Sequence, residues 1–170
     1  TNPLTWTDDK WPTCAHGGII PSYGIGHSEA QWFVRGVPNV KKAFAKVWET
    51  DDLLTSFDGV SLWRPWNIDP SWKTQSGQAW FHIDQHPISK PGKQCIQGLI
   101  NLLPTSKEIG GNVVIPKSHN FFKDLPQEYK ERVERLPLDI DHFRFPHDDP
   151  KLSSEPAVMA HMEPGDMLLW

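Results

Sequence analysis

Long apolar runs, cysteine and blocks of basic charge are all scarce in this 170-residue chain, and each scarcity removes a class of protein. No stretch nears the ~20 consecutive apolar residues of a membrane-crossing helix, so no membrane span is expected. Cys14 and Cys95, the two cysteines, are too few and too far apart for a disulfide framework. They fit a reducing compartment, and a cytoplasmic location is the expectation. Lys and Arg number 17 against 21 Asp and Glu, a net charge of -4 with no basic cluster. The electrostatic footprint of a nucleic-acid or anionic-membrane partner is therefore missing. Internal repeats and low-complexity tracts are absent too.

What is present is an ordinary globular composition, 38% hydrophobic and 22% charged, of a length that suits one domain. Nine Trp and 16 Pro depart from the average. They describe short segments punctuated by proline, with large flat side chains to fill an interior or line a pocket. The chain begins at Thr1 without a methionine and ends inside the apolar run Met167-Leu168-Leu169-Trp170. Domains seldom stop in mid-strand, so the sequence reads as a piece clipped at both ends. The lack of a targeting segment then carries no information.

Residues 1–27 show no sustained period and read as irregular. Ser28 followed by Gln31 is a capping-box pattern that opens a short helix through Trp32, Phe33 and Val34. Gly36 and Pro38 break it and start a second helix, in which Val40, Phe44, Val47 and Trp48 form one apolar stripe. From Phe57 the pattern changes to short β-like runs at 60–63, 79–84, 95–103, 112–115, 157–162 and 167–170. Turn chemistry separates them at Pro91-Gly92, Gly110-Gly111 and Pro164-Gly165-Asp166. A polar segment, 126–136, reads as a surface helix inserted between strands. Many short strands with long excursions favour an antiparallel sandwich or barrel.

Chemistry concentrates at His82-Ile83-Asp84. On a strand, residues two apart share a face, so an imidazole and a carboxylate can reach one divalent ion at ~2.0–2.2 Å. With a second histidine they would make the ligand set of non-haem Fe(II) oxygenases. In the 95–103 run, Gln97 and Asn101 share a face amid apolar neighbours, where their amides need polar partners. Arg64, between Trp63 and Pro65-Trp66, is a candidate anion or substrate contact, and Trp80 a candidate pocket wall. His86 continues an H-x-D-x-H spacing, but Pro87 argues that the strand ends there. His119, His142, His147 and His161 remain available, each more simply read as a surface or core histidine.

The succession His82-x-Asp84, Gln97-Gly98, Gly110-Gly111 with Pro116-x-Ser118-His119, and Pro164-Gly165-Asp166 before an apolar strand resembles the phytanoyl-CoA dioxygenase family. The likeness is best over 57–170 and less specific over 32–58. It implies an Fe(II)- and 2-oxoglutarate-dependent dioxygenase on a mainly β fold. That fold is a double-stranded β-helix, the cupin-like jelly roll, with flanking N-terminal helices. Residues 1–56 would be an irregular and helical lead-in, and 57–170 a core incomplete at its C-terminal end, in one domain overall.

By the same resemblance, His82 and Asp84 are two of three iron ligands. Gln97 falls near the co-substrate, with Asn101 on the same face. Lys117 stands where the family usually has glycine. The second histidine ligand and the arginine for 2-oxoglutarate would follow Trp170, leaving the piece inactive alone. A carboxylate at position 84 implies hydroxylation or desaturation of a small organic substrate by dioxygen. The alternatives are a non-redox, cupin-like binding module and a metal-dependent hydrolase. Neither substrate nor oligomeric state follows.

Overall fold

The structure, a computed structural model, describes residues 2–12, 18–73, 80–146, 148–153 and 155–170. Cys14, Ala79 and His147 lie outside them. The first elements are strand β1 (Ile19–Ile20) and helices α1 (Glu29–Gly36) and α2 (Pro38–Trp48). Six short strands follow, β2 (Val60–Ser61), β3 (His82–Ile83), β4 (Gly98–Ile100), β5 (Val113–Val114), β6 (Phe143–Arg144) and β7 (Val158–Met159), then β8 (Met167–Leu169). Between β5 and β6 lie the short helices α3 (Leu125–Glu128) and α4 (Lys130–Glu134). The residues group into two compact units. One holds Thr1–Thr74, Ile100–Gly110 and Glu163–Met167, the other Gln75–Leu99, Gly111–Met162 and Leu168–Trp170.

In the first unit the helix pair forms where the sequence places it. Ser28 caps α1 by accepting the Gln31 amide at 3.3 Å, which satisfies one of the helix's orphan N–H groups. Gln31 does not complete the box; its side chain donates instead to the Gly59 carbonyl at 2.7 Å. Pro38 opens α2, and Glu49 ends it in a left-handed conformation. The Val40, Phe44, Val47 and Trp48 stripe is half-buried, while Lys41, Lys42 and Lys46 face solvent. Strand β1 pairs antiparallel with β2, Ile19 opposite Ser61 and Ile20 opposite Val60. Glycine is required beside that pair, because a Cβ on Gly59 would sit 2.4 Å from the Ile20 carbonyl oxygen. Over 1–27, expected to be irregular, the described residues hold this two-residue strand and single 3-10 turns at Pro3–Thr5 and Ile25–His27.

The second unit is built around aromatic packing. Leu125, Val133, Phe143, Ile115 and Met162 are buried. The rings of Tyr129, Phe143 and Phe145 meet edge to face at centroid distances of 5.4–5.9 Å. The Tyr129 hydroxyl donates to the buried Asp149 carboxylate at 2.5 Å. Burial, together with that bond and the Asp149 charge, pushes the phenol far above its ordinary pKa, so it remains a donor. The helix expected at 126–136 is thus two helices. Leu125 and Val133 turn inward, each fully burying an apolar side chain worth ~1.5–3 kcal/mol.

Four two-stranded sheets result: β1–β2, β3–β6, β4–β8 and β5–β7. In the second unit Gln97 and Trp170 exchange both backbone bonds at 2.9 and 3.2 Å, and in the first the Asn101 amide donates to Asp166 at 3.0 Å. The architecture is mainly small antiparallel sheets with some helix, and the strands close no barrel among the described residues. The continuous double-stranded β-helix expected from sequence is resolved only as these pairs. Proline and glycine interrupt every run, which limits each ladder to a few residues. No helix among the described residues is long and apolar enough to cross a membrane.

Candidate metal centre

Strands β3 and β6 pair antiparallel with His82 opposite Arg144 and Ile83 opposite Phe143. Continuing that register by one residue sets His142 opposite Asp84, on the face that Asp84 shares with His82. Three side chains meet there. His82 Nε2 is 3.3 Å from Asp84 Oδ1, and His142 Nδ1 is 3.4 Å from the same oxygen. One donor atom from each of the three lies within 4.8 Å of the others. Two ligands ~2.1 Å from one cation and ~90–110° apart would stand ~3.0–3.4 Å from each other. Both separations to Asp84 Oδ1 fall in that range.

Hydrogen bonding fixes how His82 presents itself. Its Nδ1 is 2.9 Å from the Trp80 carbonyl oxygen, which can only accept, so Nδ1 carries the hydrogen. In a neutral ring Nε2 then offers a lone pair, and it faces a carboxylate oxygen, a second acceptor. Two acceptors at 3.3 Å repel unless a proton or a cation lies between them. A ring N–H held by a backbone carbonyl is also the usual support of a metal-binding histidine. Burial alone would lower the His82 pKa and raise that of Asp84. The bond and charge each lends the other outweigh it, helped by the Trp80 carbonyl on the ring and by Gln97 and His142 on the carboxyl. The imidazole lies above its ordinary range and the carboxyl below.

The structure brings some of the candidate residues to this cluster. Gln97 donates from Nε2 to Asp84 Oδ2 at 3.0 Å. The Trp80 indole packs on the His82 ring at a centroid distance of 4.2 Å and approaches His142 at 5.8 Å. Others are engaged elsewhere. Asn101, buried in the first unit, donates its amide to the Leu103 carbonyl at 3.1 Å. Arg64, in the same unit, donates to the Trp6 carbonyl and to Asp8, both at 2.7 Å, and lies over the rings of Trp11 and Trp72.

His86 is fully buried, and its Nδ1 accepts the amides of Ile88 and Ser89, both at 3.1 Å. It folds the turn after β3 and is spent there, so the H-x-D-x-H set is not assembled. His142 was one histidine among several in the sequence. Its only signal is a place one residue before strand β6, whose two residues show no period.

Paired antiparallel strands that aim two imidazoles and a carboxylate at one point mark a mainly β protein with a candidate site for a divalent cation. The chain belongs to the phytanoyl-CoA dioxygenase family, whose model matches residues 41–170. Among known proteins it is similar to "Ava biosynthesis cluster protein O" of Aspergillus versicolor, 33% identical over 172 residues. That match covers 98% of this chain and 54% of the relative. It is also similar to "Putative phytanoyl-CoA dioxygenase" of Dictyostelium discoideum, 27% identical over 144 residues, 64% of this chain and 40% of that protein. The chain thus spans about half the length of the relatives it matches or less. No solved structure matches it. Family membership carries a cupin-like fold.

Proposed function

We propose that the protein is an Fe(II)- and 2-oxoglutarate-dependent dioxygenase that hydroxylates or desaturates a small organic molecule. His82 Nε2 and Asp84 Oδ1 are two of the metal's ligands, and His142 Nδ1 is a third donor within reach. One observation carries this reading: the Nε2 lone pair of a ring whose other nitrogen is tied to a carbonyl points at a carboxylate oxygen. That arrangement suits a shared cation, and a mixed nitrogen and oxygen set suits ferrous iron.

When bound, the iron supplies activation of dioxygen coupled to decarboxylation of the 2-oxo acid. The chain's own residues prepare the place. The Trp80 carbonyl sets the His82 tautomer, the Trp80 ring shields the imidazole from water, and the 39% exposure of the Asp84 side chain leaves one side of the cluster open. A carboxylate at position 84 would hold the metal, which favours hydroxylation or desaturation over transfer of a halide.

Incubating the complete protein with Fe(II), 2-oxoglutarate and oxygen tests this. Succinate formation that Asp84→Ala abolishes is the expected result. Saturable metal binding at this site with no succinate points to the cupin-like binding module instead.

A further inference from the structure

The two oxygens of Asp84 have different neighbours. Oδ1 faces both histidines, at 3.3 and 3.4 Å, while Oδ2 accepts from Gln97 Nε2 at 3.0 Å. A carboxylate can only accept, so the Gln97 amide must present its nitrogen; its oxygen there would oppose another acceptor. The position of the glutamine is fixed by its backbone, which exchanges both hydrogen bonds with Trp170. Gln97 itself is half-buried.

A carboxylate with both oxygens free can clasp a cation with two bonds and fill two coordination positions. With one oxygen held by an amide it turns the other alone toward the metal. Resting on the metal-site reading above, we infer that Gln97 is a positioning residue: it restrains Asp84 to bind through Oδ1 only, keeping a coordination position free for the co-substrate. This role differs from the one that family resemblance implies, in which Gln97 sits beside the 2-oxo acid. An amide committed to Asp84 acts on the metal before any co-substrate arrives.

Co(II) serves as the probe, by calorimetric titration and by its visible ligand-field absorption, with no 2-oxoglutarate present. Gln97→Leu frees Asp84 Oδ2 to join the metal and should therefore alter the absorption, with Co(II) affinity kept within about 10-fold of the wild type and the folded far-UV spectrum retained. Gln97→Met removes the same donor with an unbranched chain and serves if the leucine variant fails to fold. Wild-type absorption in the folded variant, with only 2-oxoglutarate binding weakened, would overturn the inference and return Gln97 to a co-substrate contact. The reading beneath it fails differently: His82→Ala and Asp84→Ala would then bind Co(II) as the wild type does.

Discussion

A single carbonyl oxygen, that of Trp80, decides what His82 offers, because it consumes the one ring hydrogen and leaves Nε2 as an electron pair. His86, four residues on, is the instructive contrast. Its Nδ1 accepts two amides and its buried ring holds a turn. The two histidines should separate cleanly on mutation. His86→Ala removes a buried acceptor and leaves two amides unsatisfied, which should cost about 2–4 kcal/mol in urea unfolding with Co(II) affinity nearly unchanged. His82→Ala should do the reverse, abolishing Co(II) binding at little cost in stability. His142→Ala checks the third donor: weaker Co(II) binding is expected, and unchanged binding would remove His142 from the ligand set. From the sequence, His82 and Asp84 were legible because two-residue spacing is geometry on a strand. His142 was not, since its placement depends on a cross-strand register.

Among the elements, helices and turns could be read and most strand partners could not. Ser28, Gly36 and Pro38 signal the boundaries of α1 and α2 through capping and ring chemistry, which act over one turn of chain. Strands β1 and β6 carry two residues each, below the length at which alternation shows. The turn at Lys117 is a sharper case. Lysine adopts φ 65°, the left-handed conformation natural to glycine, so the turn bears strain there that a glycine would not. Its ion pair with Glu155 is long, 3.4 Å, and exposed, and contributes little. Lys117→Gly should therefore stabilise the protein by up to about 1 kcal/mol, after the entropy glycine loses on folding is set against the ~1–2 kcal/mol of strain relieved. Thermal unfolding checks the sign, and a lower midpoint would show that the Lys117 side chain contributes more than its ion pair suggests.

For the molecule as a whole, the metal and the fold should be linked. A ligand that binds only the native state at 100 times its Kd stabilises it by ~2.7 kcal/mol. Divalent metal should raise the unfolding midpoint of the wild type and leave that of Asp84→Ala unmoved. The family's cupin-like fold and the chain's short strand pairs agree in class. Proline, glycine and tryptophan announced those pairs as short β segments, yet their pairing depends on contacts that local sequence does not encode. What most directly tests the account is an anaerobic titration of the complete protein with Fe(II) followed by 2-oxoglutarate, read by visible absorption. The account predicts a band that appears only when both are present and is lost in His82→Ala and in Asp84→Ala. Absence of the band in the wild type, or its survival in both variants, would contradict it.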